Sequence, residues 1–110
     1  MSMADGTPDF EADIELLATS DGGRRMPCGS GYRPHHVLRA GLVTSGAHEY
    51  IGVDTVAPGG MARARVTLLS PELFHGALVV GMTIPFCEGP RVVGHATVTR
   101  ILDPRLAASR

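Results

Sequence analysis

The chain has 110 residues, enough for one domain with a modest core, and its formal charge of −1 comes from ten arginines, eleven acids and no lysine. Without lysine there is no Schiff-base amine and no phosphate-loop lysine, and without a strongly positive balance there is no footprint of a dedicated nucleic-acid binder. The total conceals an asymmetry: residues 1–21 carry six acids and no arginine, a charge of −6, while residues 22–110 carry ten arginines and five acids, a charge of +5.

Residues 1–9, MSMADGTPD, are small and polar and predict a disordered tail. In FEADIELLAT (10–19) the apolar Phe10, Ala12, Ile14 and Leu16 alternate with Glu11, Asp13 and Glu15, the period of a strand with one wet face. GGRRMPCGSGYRP (22–34) is too glycine-rich and too basic for a core segment and reads as a loop. Arg24, Arg25, Arg33 and Arg39 form the densest basic cluster in the chain. Tyr32, Arg33 and Pro34 read as the structural part of this loop, with Pro34 stiffening the approach to the next strand and Arg33 pairing with the acidic first strand.

The segments HHVLRAGLVT, HEYIGVDTV and GALVVGMTI are weaker strands, with turns at TSG, APGG, LSPELFHG and CEGP. MARARVTLL repeats the alternating device, with Ala62, Ala64, Val66 and Leu68 opposite Arg63, Arg65 and Thr67, the arginines reading as a solvated face. RVVGHATVTRIL closes the series, with residues 103–110 as a C-terminal tail. Six short strands without a sustained helical period predict an all-β fold, a closed six-stranded antiparallel barrel over residues 10–102, because closure removes the edges that an open sheet exposes.

Cys28 and Cys87 are far apart, and no basic and apolar leader pattern opens the chain, so the sequence predicts reduced thiols and a cytoplasmic protein. The longest apolar runs are too short to span a bilayer as a helix. His35 and His36 are adjacent and point to opposite faces of a strand, which argues against joint metal ligation; a site from His35, Cys28, His75 and Cys87 would have to be assembled by folding. No metal, other cofactor or catalytic grouping is expected.

The opening FEADIELL, the loop GGR..P..SGYRP, the turn VAPGG before ARARVTLLSP, and the closing EGPRVVGHATVTRIL fall in the order of a known barrel. From about Phe10 to Leu102 the chain resembles the third, C-terminal barrel domain of elongation factor Tu and related translational GTPases, as a free-standing chain. The resemblance implies a non-catalytic, translation-related binding module. Its partners would be tRNA-type RNA, held along the acceptor and T-stem backbone, or the translation apparatus; the alternative is a translation-related or other protein bound without RNA contact. The family's T-stem contacts fall on Arg24, Thr44, Glu88 and Gly89, which match in residue type, and on Arg25 and His35, where the family more often has His or Lys and Gln.

The match departs from the family at Pro90, in place of a glycine, and at Thr83 and Cys87, in place of arginines that face the GTPase domain. The segment between Leu69 and Ala77 is longer than its counterpart in the family. With no lysine and no phosphate loop, the protein is expected to show neither GTP hydrolysis nor saturable binding of guanine nucleotide. Equilibrium titration with a fluorescent GTP analogue checks this, and stoichiometric, competable binding would contradict it.

Overall fold

The computed structural model describes residues 7–39 and 41–108. Eight strands form in chain order: β1 (Phe10–Leu16), β2 (Cys28–Gly29), β3 (His35–Arg39), β4 (Leu42–Tyr50), β5 (Thr55–Val56), β6 (Met61–Leu68), β7 (Thr83–Glu88) and β8 (Arg91–Ile101). Six of them close an antiparallel barrel in the order β1-β6-β4-β3-β7-β8, and β2 with β5 makes a separate two-stranded ribbon. The helical content of the described residues is three short 3-10 turns.

Alternation decides which side chains fill the barrel. Phe10, Ala12, Ile14 and Leu16 of β1 point inward with Ala64, Val66 and Leu68 of β6, meeting Ile84 and Phe86 of β7 and Val93, Ala96 and Val98 of β8. The outward positions of β1 and β6 carry opposite charges in register, Glu11 opposite Arg65 and Asp13 opposite Arg63. The ion pairs span 3.7 Å for Arg65 with Glu11 and 3.4 Å for Arg63 with Asp13, and Arg65 also reaches Glu49 of β4 at 3.8 Å. Exposed pairs of this kind contribute at most about 1 kcal/mol each; their clearer role is to match β1 to β6.

Three weaker segments are divided differently from the sequence expectation. HHVLRAGLVT holds β3, a turn through Gly41 and the start of β4, and HEYIGVDTV ends β4 and reaches β5 only at its last two residues. GALVVGMTI is mostly turn, and β7 starts at Thr83. The expected turn at Thr44, Ser45 and Gly46 is strand interior. Gly46 is there for space, since a Cβ would lie 2.9 Å from the His36 ring.

The ends of the domain also lie further out than expected. Asp9, assigned to the tail, is buried, and its carboxylate accepts a hydrogen bond from the Leu68 N–H at 2.7 Å. At the other terminus Leu106 is fully buried and Ala108 N–H donates to the Leu78 carbonyl at 2.8 Å, because Phe74, Leu78 and Leu106 join the core at one end of the barrel. Residues 1–6 and 109–110 of the two expected tails lie outside the described residues.

The strand directions place two groups of loops at opposite ends. Residues 17–34, the β4–β6 connection and the β7–β8 turn share one end; residues 69–82 and 102–108 share the other. Within the barrel strands the tightest glycine fit lies at Gly94, where a Cβ would come 2.4 Å from Phe86 Cζ and 2.6 Å from the Glu15 carbonyl oxygen. Gly94→Ala is expected to destabilise the barrel by about 1–3 kcal/mol through overpacking. Urea denaturation measures the loss, and an unchanged midpoint would show that Phe86 is not held where the barrel places it.

Candidate nucleic-acid interface

The basic loop leaves β1 through a 3-10 turn at Thr19–Asp21 and returns to the barrel at β3. Gly22 takes a φ of 91°, and Gly23 packs so closely that a Cβ would lie 2.1 Å from the Leu17 carbonyl oxygen, so both glycines are needed to fold the loop back over β1. The Thr19 hydroxyl donates to the Arg24 carbonyl at 2.5 Å, and Ser30 Oγ accepts from the Tyr50 N–H at 3.0 Å. Together these bonds tie the loop down at both ends.

Arg24 is held from three sides. Its guanidinium pairs with the Glu88 carboxylate, its Nε donates to the Met26 carbonyl at 3.2 Å, and its Cζ sits 4.7 Å from the Tyr32 ring centroid. The same Glu88 oxygen accepts from the Tyr32 hydroxyl at 2.5 Å. Burial works against the Glu88 charge. The bonds from Tyr32 and Arg24, with the positive charges of Arg24 and Arg91, prevail and hold the carboxyl below its ordinary range. Burial beside this carboxylate raises the Tyr32 phenol, which therefore stays a donor.

Gly89 and Pro90 make a two-residue turn that sets Glu88 directly opposite Arg91 in the β7–β8 ladder. The result is an open cleft of about 540 Å³ lined by Thr19, Gly22, Gly23, Arg24, Arg25, Met26, Glu88 and Arg91. Arg25 and Arg91 are exposed and have no ion pair with a described residue. The cleft thus offers two uncommitted guanidinium groups around a third that is already neutralised.

The positions carried over from the family resemblance are divided by the fold. Arg24, Arg25, Glu88 and Gly89 meet at this end of the barrel, and the exposed His35 lies next to them, its Cα in register with Cys87. Thr44 is elsewhere: it is buried on the inward face of β4, where its hydroxyl accepts from the Ser70 N–H at 3.0 Å towards the opposite end. Arg33 is exposed and makes no ion pair with a described residue, so the expected link to the first strand is absent; two of that strand's three acids, Asp13 and Glu11, pair with Arg63 and Arg65. Tyr32 and the buried Pro34 are structural, the former through Glu88.

Arg91 was not singled out from the sequence, although CEGPRV carries the hairpin signal that sets it across from Glu88. Cys28 is buried in the ribbon, and its thiol is raised chiefly by burial, with Glu88 reinforcing and Arg24 opposing the shift. A thiol kept protonated at neutral pH is not a nucleophile. Among the described residues no three His, Cys, Asp or Glu side chains converge on a metal position. No known protein-family model matches the chain.

The arrangement can bind an anion or a polar backbone, with Glu88 serving to orient Arg24. A double-mutant cycle of Arg24→Gln and Glu88→Gln is expected to give a coupling of about 1 kcal/mol at pH 7. The folded-state pKa of Glu88 lies below the ordinary 4.5, so its contribution is complete above that value and is lost as pH falls through the lower one. Chemical denaturation of the four proteins across this range checks both parts, and a coupling of zero at pH 7 would contradict the clamp.

Proposed function

We propose that the protein is a non-catalytic binding module of the elongation factor Tu third-domain type, which engages the backbone of helical, tRNA-like RNA through the rim cleft. The observation that carries this reading is the pair of exposed arginines, Arg25 and Arg91, flanking the braced Arg24 in an open cleft. Guanidinium forks match phosphate oxygens in pairs, and glycines at the rim let a backbone approach closely. His35 beside the cleft adds an exposed imidazole that can donate to a phosphate or a 2′-hydroxyl. Binding of this type reads shape and charge rather than base identity, which accords with the burial of Phe10, Tyr50, Phe74 and Phe86 away from the surface where bases could stack.

In this reading Arg24 acts chiefly through Glu88 and Tyr32 as a positioning residue, and Arg25 and Arg91 carry the phosphate contacts. A cytoplasmic setting beside the translation apparatus follows from the same proposal. The second reading, a protein partner, is favoured by a different observation. Leu69, Leu73, Val79 and Val80 are exposed in the loops at the opposite end, with Val80 at 59 %.

Salt separates the two readings. Replacing Arg25 and Arg91 together by Ala is expected to reduce the slope of log affinity for tRNA against log salt by roughly one to two units, with little change in melting temperature. Wild-type binding that is absent or insensitive to salt, or a double variant with the wild-type slope and affinity, would leave the protein-partner reading in its place.

A further inference from the structure

Beneath the rim, His36 of β3 and His48 of β4 are fully buried, with their Nε2 atoms 2.9 Å apart. One Nε2 must therefore donate and the other accept. His48 Nδ1 lies 3.2 Å from the Tyr50 hydroxyl, and Tyr50 in turn lies against the Cys28 thiol. His36 Nδ1 has no hydrogen-bond partner. In the neutral pair this atom can stay bare, with His36 Nε2–H donating to His48 and His48 Nδ1–H donating to Tyr50. Any additional proton that preserves the Nε2 contact leaves a hydrogen on His36 Nδ1, because a His36 that accepts at Nε2 must be protonated at Nδ1. That proton and its charge would lie in a fully buried site.

The surroundings offer no counter-charge. From β4 come His48, Tyr50 and Gly46; from β7 the Phe86 ring, 5.6 Å from His36 and 5.0 Å from His48; from the loop Tyr32, 5.7 Å from His48. The neutral Pro34 and Thr44 carbonyls favour the His36 charge, Pro34 while also accepting from the Gly46 N–H at 3.1 Å, and His35, on the outer face, opposes it. No carboxylate of a described residue lies against either ring.

One member of the pair, His36, sits on the weakest seam of the barrel. β3 and β7 are in register only at His35 with Cys87 and His36 with Phe86, and the next residue along β7, Pro85, has no N–H to extend the ladder. Phe86 lies two residues before Glu88 on β7, and Tyr32 packs on both His48 and Phe86 while holding Glu88. We propose that the His36–His48 pair is a proton-operated latch on the β3–β7 seam, released in mild acid, and that its release frees Glu88 and dismantles the Arg24–Tyr32–Glu88 clamp at the rim.

The direction follows from linkage. Burial pulls His36 down from the ordinary 6.5 to about 4, and burial reinforced by the neighbouring His36 pulls His48 well below the same reference. The closed state binds fewer protons than the open one. The latch is therefore fully closed above about pH 6.5 and loosens as pH falls from there towards 4. Between pH 6 and 5 the opening constant is expected to rise roughly 8-fold for one histidine released and roughly 60-fold for both.

Hydrogen exchange on the RNA-free full chain, corrected for intrinsic rates, tests this independently of any RNA-binding role. Peptides covering residues 35–39, 83–88 and 22–34 are expected to show that rise together between pH 6 and 5. His36→Gln and His48→Gln, which keep a polar side chain without the titration, are expected to flatten it. Wild-type exchange in 83–88 that does not change over this interval would overturn the latch even if neither variant folds. An undiminished pH dependence in a folded variant would assign the opening to other groups and overturn it equally.

Discussion

Closure of the six-stranded barrel is the constraint on which the rest of the structure depends. A barrel this narrow has room for side chains alone, and the inward-facing residues of its strands fill it. Two glycines meet that demand by yielding volume, Gly94 to Phe86 and Gly46 to His36. The result is an interior of aliphatic packing on the β1, β6 and β8 side, with an aromatic and imidazole cluster under the rim loop.

The same closure places polar rings where water does not reach. A buried imidazole or phenol without a partner is costly, and His36, His48 and Tyr50 reduce that cost by bonding to one another. Satisfaction is complete except at His36 Nδ1, and the exception falls where the strand ladder is shortest. Stability and sensitivity to protons therefore arise at one location, from the packing that fills the barrel.

At the rim, charge is distributed by rigid elements rather than by attraction between flexible ones. Glu11 and Asp13 of β1 are matched in register by Arg65 and Arg63 of β6, while Glu15 stands opposite Met61. Glu88, at the end of β7, then takes one loop arginine and leaves Arg25 and Arg91 exposed on either side. A cleft built this way keeps its shape without ligand, a useful property for a surface that must meet an extended backbone.

The class of fold was legible in the sequence because alternation with period two is local: β1, β6 and β8 present it openly, and a strand with one apolar face has to bury that face. Lysine content, the glycine-rich loop and the density of arginine were legible for the same reason. Strand limits around Gly41, Gly46 and Thr83 were not, since a glycine that turns the chain and a glycine that admits a ring look alike until the ring is in place. Thr44, Arg33 and Arg91 illustrate the same limit at the site. Their residue types were plain, but inward or outward facing, and the choice of carboxylate partner, depend on register between strands far apart in the chain. Local composition determined what this protein is made to form; only the closed barrel decided which arginines stay uncommitted and which histidines meet, because those are distances between segments that the sequence does not itself bring together.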